Sequence, residues 1–271
     1  MRLCAVVLAA GEGVRLRPLT ATVPKALCPV GNVALLDLAL ARMDRLGLSG
    51  PLSVAVNACY LAEQVVSQVD GRAHLSVEPP PPWGTSGGVA TLRDWIDGRG
   101  VLVGNADAYL AGPDPAMLLD GWDGDTVRLL GVPTRPDDPY RFGRHQFAGL
   151  CLLPWRVVAG LPVEVADLVR TAWRPAEAAG RLTVVEYPGL YRDTGTPSLY
   201  LEANLHATNG GSLIDAGATV TGRVNRAVVG NGAEVHGTVT RAVVWPGGYV
   251  GPDEVLTDAI RVGRDLTVPA H

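Results

Sequence analysis

Three fixed cations, Arg15, Arg17 and Lys25, follow Gly11 and Gly13 on a stretch that Pro18 and Pro24 keep from becoming a long helix. Glycine lets main-chain N–H groups approach an anion closely, and the cations supply compensating charge, so the pattern suits a polyphosphate. Two carboxylates stand in suggestive surroundings. Asp107 ends the apolar run Val101-Leu102-Val103-Gly104-Asn105-Ala106, and Asp193 precedes Thr194-Gly195-Thr196-Pro197. Magnesium is commonly held through one or two carboxylates plus phosphate oxygens. A second glycine cluster, Gly84-Thr85-Ser86-Gly87-Gly88, follows the proline-stiffened loop that starts at Glu78 and opens a helix through residues 89–95. Bare amides at such a helix start can receive a polar ligand edge. Plainer readings stand beside each feature: a turn with solvated arginines, Asp107 in a turn or cap, Asp193 capping the following helix, and glycines flanking an ordinary N-cap.

The elements that must position these groups are written in the spacing. The run Val6-Val7-Leu8-Ala9-Ala10 is apolar on both faces and stops at glycine, as a buried parallel strand does. Residues 35–46 carry apolar side chains at helical spacing and end at Gly47. Strands are predicted over 51–57, 74–78 and 101–103, with a helix over 61–69. Strands alternating with helices imply a parallel sheet wrapped by helices, its ligand site beyond the strands' carboxyl ends. The strand order is not written in the spacing.

A chain of 271 residues has room for a sizeable core in one or two domains, and 47% of it is hydrophobic. Its net charge of −4 argues against a general nucleic-acid binder. No apolar run approaches the ~20 residues needed to span a bilayer. The first apolar run is short and reads as a strand, not an export signal, so a cytoplasmic setting without membrane partners is expected. Cys4, Cys28, Cys59 and Cys151 are scattered and read as reduced, mostly buried thiols without zinc. A dinucleotide-binding loop would need glycine where Leu16 stands, and no Walker sequence occurs.

The string Leu8-Ala9-Ala10-Gly11-x-Gly13-x-Arg15-Leu16-Arg17-Pro18-Leu19-Thr20, continued by Pro24-Lys25-x-Leu27, resembles the sugar-1-phosphate nucleotidyltransferases. Mannose-1-phosphate guanylyltransferases and N-acetylmuramate-1-phosphate uridylyltransferases are similar in this opening segment, although Val14 replaces a small polar or acidic residue. The resemblance implies a Rossmann-like, three-layer α/β domain of GT-A type over residues 1–208. It also implies a magnesium-dependent reaction in which a nucleoside triphosphate and a sugar-1-phosphate give an NDP-sugar and pyrophosphate. Leu8, Ala10, Gly11, Gly13, Arg15, Gly84, Thr85, Ser86 and Gly87 would then bind the nucleotide, with Arg15 on the outer phosphates and Lys25 on the α-phosphate. Asp107 and Asp193 would converge on Mg2+, and Arg15, Lys25, Asp107 and Asp193 would form the catalytic set. Asn105, Gly149 and Glu164 are the sugar candidates, with Arg141 and Arg144 as further ones. Between the aspartates the family's Glu-Lys-Pro segment is missing; Val132 to Arg144 leads straight to Phe147-Ala148-Gly149, which resembles the shortened form of the muramate-type enzymes.

From about residue 209 short apolar elements recur at about six-residue intervals, with Ala227-Val228-Val229 and Ala242-Val243-Val244 in corresponding positions. Stacked short strands burying branched side chains explain this, and residues 209–271 resemble the short left-handed parallel β-helix of hexapeptide type carried by several members of the family. Homodimerisation through that segment or the catalytic domain is expected. GTP with mannose-1-phosphate is the preferred pair. Uridylyl or thymidylyl transfer to another hexose-1-phosphate, and an inactive NDP-sugar-binding regulator, are the alternatives. Acetyl transfer is disfavoured by the few coils and by His236 being the sole well-placed histidine.

Overall fold

β1 (Leu3–Leu8) is an apolar strand flanked on both sides in a seven-stranded sheet. Its partners are β2 (Val54–Ala58), β3 (His74–Val77), β4 (Gly100–Asn105), β5 (Val127–Pro133), β6 (His145–Leu153) and β7 (Leu182–Glu186), in the order β7-β5-β6-β4-β1-β2-β3. β1 runs parallel to β2 and β4, β3 parallel to β2, and β7 parallel to β5. Only β6 among them opposes its neighbours, running antiparallel to both β4 and β5. Burial on both faces explains why β1 and β4 read as continuous apolar runs rather than alternating ones. The core that covers them joins Cys4, Val6, Val101 and Val103 to Ile96, Leu168 and Trp173.

This computed structural model describes residues 2–138 and 141–271, so Pro139 and Tyr140 of the segment preceding β6 lie outside the described residues. The chain divides into two compact units, Met1–Glu12 with Leu36–Tyr191, and Gly13–Leu35 with Arg192–His271. The sheet belongs to the first. There the chain leaves β1 for β2 and β3 on one side, then returns to β4 on the other. Such a reversal opens a crevice outside the carboxyl ends of the two central strands.

Some local expectations shift. β2 begins at Val54 rather than Pro51, because Ser53 and Val54 donate back to the Gly50 carbonyl in a turn. The helix expected through residues 89–95 starts earlier, at Gly84–Ala90, and a separate turn of helix covers Arg93–Ile96. The break falls where the Thr91 hydroxyl donates to the Gly88 carbonyl at 2.9 Å, competing with the helical ladder.

In the second unit a helix covers Pro197–Ala207, with proline in its first turn. Its N-cap is Thr196, whose hydroxyl oxygen accepts from the Leu199 amide at 3.4 Å, so Asp193 is free of capping duty. Three parallel sheets of short strands follow, the organisation of a β-helix. Leu213–Ile214, Val228–Val229, Val243–Val244 and Ala259–Val262 stack along one face. The second face is Thr219–Val220, Glu234–Val235 and Tyr249–Val250; the third is Arg223–Asn225, Thr238–Thr240 and Val255–Thr257. Ala227, Val229, Val235, Val239, Ala242, Val244 and Val250 fill the interior. One strand departs from the pattern: Leu266–Pro269 runs antiparallel to Ala259–Val262. Among the described residues no helix is long and apolar enough to cross a membrane.

Candidate active site

In the first unit the switch point between β1 and β4 gathers several expected residues. Leu8 is in register with Asn105, and the Ala106 amide donates to the Leu8 carbonyl at 3.0 Å. Asp107 follows at once, half-buried at the carboxyl end of β4. Beside it the chain leaves β1 through Ala9 and Ala10. The Ala10 carbonyl accepts from the Tyr60 amide at 3.4 Å, and Gly11 is exposed with open space where a side chain would stand. A hard-oxygen carboxylate and an open glycine turn thus share one sheet edge.

Two side chains that motif reasoning passed over hold this edge. Asn57, at the end of β2, accepts the Ala9 amide on its Oδ1 at 2.7 Å and donates from Nδ2 to Glu78 Oε1 at 2.6 Å. Glu78 Oε2 accepts the Trp83 amide at 3.0 Å, and both side chains are almost fully buried. A Cβ on Gly88 would stand 2.5 Å from Asn57 Nδ2. The pair therefore ties the β1 turn to the start of the second glycine cluster, and a glycine is required above it. The legible signal was a polar residue closing an otherwise apolar strand, Val54-Ala55-Val56-Asn57.

The second cluster is itself braced by residues 164–171. Ser86 donates its amide to the Ala166 carbonyl at 3.0 Å, Thr85 Oγ1 accepts the Leu168 amide at 2.9 Å, and the Ser86 and Thr171 hydroxyls lie 2.9 Å apart. The Glu164 carbonyl packs against the Cα of Gly87 so closely that a Cβ there is excluded. The structure thus brings the sugar candidate Glu164 beside the nucleotide candidates Gly84, Thr85, Ser86 and Gly87, with both hydroxyls engaged in that bracing. Gly149, on β6, faces Ala108, whose Cβ fills the space a side chain would need. Arg144 is paired with Glu186 at 2.9 Å, where His145 Nε2 also lies 2.9 Å away, and these neighbours hold the Glu186 carboxyl below its usual range.

In the second unit the signature cations meet a carboxylate. Gly13 adopts a left-handed φ of +62° that opens the turn carrying Arg15, and the Thr20 hydroxyl donates to its carbonyl at 2.8 Å. Arg15 Nη2 lies 3.2 Å from Asp193 Oδ2, and Lys25 Nζ lies 3.5 Å from Asp193 Oδ1. Arg15 reaches solvent with a side chain 67% exposed, whereas that of Lys25 is 9% exposed. Gly195 allows this: a Cβ there would be 2.6 Å from Arg15 Nη2 and 2.9 Å from Asp193 Oδ1. Asp107 belongs to the first unit and Asp193 to the second.

The first unit's mixed α/β sheet, with glycine turns and a carboxylate at its switch point, is a fold of the class that binds nucleotides. The family described as nucleotidyl transferase matches residues 4–147, and the chain belongs to that family. It is 41% identical over 232 residues to the N-acetylmuramate alpha-1-phosphate uridylyltransferase of Caulobacter vibrioides, covering 73% of this chain and 94% of that one. To the enzyme of the same name from Neisseria meningitidis serogroup B it is 35% identical, over 38% of this chain and 46% of the relative. To the mannose-1-phosphate guanylyltransferase of Mycobacterium tuberculosis it is 33% identical, over 51% of this chain and 39% of the relative. The chain thus spans less than half the length of these last two. In fold it is similar to a Bacillus anthracis crystal structure ascribed to a glucose-1-phosphate thymidylyltransferase, with a TM-score of 0.64, 19% identity, and coverage of 76% of this chain and 95% of that one.

Proposed function

We propose that the protein transfers a nucleoside monophosphate from a nucleoside triphosphate to a sugar-1-phosphate, releasing pyrophosphate. The observation that carries this reading is the grouping of Arg15 and Lys25 around Asp193 on the glycine-opened turn. An attacking sugar phosphate is already anionic, so the reaction needs alignment and charge neutralisation more than a strong base. Arg15, the more exposed cation, is assigned to the outer phosphates and Lys25 to the α-phosphate. Asp107 and Asp193 offer the hard oxygen donors that Mg2+ prefers, and both carboxylates retain solvent access. Magnesium, when bound, would neutralise charge on the phosphate oxygens. In domain terms the reading assigns catalysis to residues 1–208 and the short coil, taken as left-handed, to 209–271.

For the substrate pair, the 41% identity to a uridylyltransferase over nearly its full length, and the direct run into Phe147-Ala148-Gly149, favour UTP with N-acetylmuramate α-1-phosphate. GTP with mannose-1-phosphate, supported by the guanylyltransferase relative, comes second. The test is pyrophosphate release across a panel of nucleoside triphosphates and sugar-1-phosphates, with Asp107→Asn as control. Turnover on one pair, lost in the variant, is the expected result. NDP-sugar binding with no release on any pair would instead establish the regulator reading.

A further inference from the structure

The segment that carries Arg15 and Lys25 is gripped from behind by the helix and coil of its own unit. Cys28 leads from the Lys25 turn into a hairpin of Pro29–Val30 and Val33–Ala34, closed by Gly31 and Asn32, both with positive φ as a tight two-residue turn demands. Tyr200, on the helix Pro197–Ala207, is fully buried. Its hydroxyl donates to the Pro29 carbonyl and accepts from Trp245 Nε1 at 3.0 Å. Asn204, one helical turn on and equally buried, accepts the Gly31 amide on Oδ1 at 3.0 Å. Asn32 Nδ2 donates to the Val229 carbonyl at 3.0 Å, a backbone group of the coil. Burial raises the Tyr200 phenol well above its ordinary pKa, which keeps it a donor.

We propose that Tyr200, Asn204 and Trp245 are positioning residues through which the coil braces the hairpin and so fixes the cationic turn that precedes it. The inference rests on the reading of Arg15 and Lys25 as phosphate ligands. The physical reason is that the Cys28 segment is short: a hairpin free to rock would displace Lys25, and misplacement by about 1 Å can cost roughly 10²-fold in rate. A polar chain of buried groups transmits position better than apolar packing, since each partner has one acceptable location.

Hydrogen exchange on the full chain without substrate, paired with kinetics, tests this. In Tyr200→Phe, amides of residues 24–34 are expected to exchange at least about tenfold faster than in wild type, those of 228–262 at the wild-type rate. The kcat should fall about tenfold or more while KM for the nucleotide stays within about threefold. Trp245→Phe should speed exchange at 24–34 and lower kcat in the same sense but more weakly, and serves if Tyr200→Phe fails to fold. Leu256→Ala, a cavity in the coil at a side chain that makes none of the hairpin's hydrogen bonds, should leave both exchange at 24–34 and kcat unchanged. Wild-type exchange at 24–34 in both the Tyr200 and Trp245 variants, or an equal kcat loss in Leu256→Ala, overturns the brace. A wild-type protein that turns over no substrate pair rejects the proposed reaction instead, and the exchange pattern still decides the brace.

Discussion

At the scale of single residues, the site is organised by what is missing as much as by what is present. Gly195 leaves room for the contact between Arg15 and Asp193, and the space is too small for a methyl group. Gly195→Ala should therefore push the guanidinium off the carboxylate and lower kcat/KM by about 10²-fold, the scale of losing one preorganised charge contact. Because Arg15 is largely exposed, the melting temperature should move little; steady-state kinetics beside a thermal scan checks both halves. The sequence singled out Arg15, Lys25, Asp107 and Asp193 through the strings around them, and three of the four, Arg15, Lys25 and Asp193, meet in the structure. Asn57, Glu78, Tyr200 and Trp245 were not singled out, because a buried polar side chain is recognisable only once its partners, distant in sequence, are beside it.

At the scale of elements, the first unit depends on the polar pair beneath its glycine turns. Removing the Glu78 carboxylate would leave the buried Asn57 Nδ2 and the partly buried Trp83 amide without these acceptors. Glu78→Ala should cost about 1–3 kcal/mol of stability in a urea titration, with Glu78→Gln recovering part of it. Strand and helix positions in the first half followed from periodicity, since β1 and β4 are buried on both faces and the helix Leu35–Arg45 is amphipathic. The antiparallel entry of β6 did not, because an apolar strand carries no mark of its direction. The helix break after Ala90 was equally hidden, since it turns on one threonine hydroxyl.

At the scale of the whole molecule, cysteine chemistry reports on packing throughout the chain. Burial pushes Cys4 up to about 11 and Cys28 and Cys151 up to about 12; Cys59 is raised less, by burial and then by Glu78 and Glu12. Alkylation requires thiolate and access, so at pH 8 the native protein should take up iodoacetamide at Cys59 first. All four should react in denaturant, as mass spectrometry of the labelled peptides would show. The recurrence behind the coil was readable because stacking repeats the same register: Leu213, Val228, Val243 and Ile260 lie above one another. The association of Gly13–Leu35 with Arg192–His271 was not readable, because compactness is a property of distance in space.

The reversed strand Leu266–Pro269 has a consequence for polymerisation. A ladder of identical rungs offers its last edge to any copy able to add another, which is how open stacks become fibres. Here the terminal rung of one face is already occupied by chain running the opposite way, so a parallel strand from a second molecule finds no vacancy there. The face that reaches Tyr249–Val250 is partly taken as well, since the Tyr249 amide donates to the Gly263 carbonyl at 2.9 Å, and both features disfavour an endless fibre.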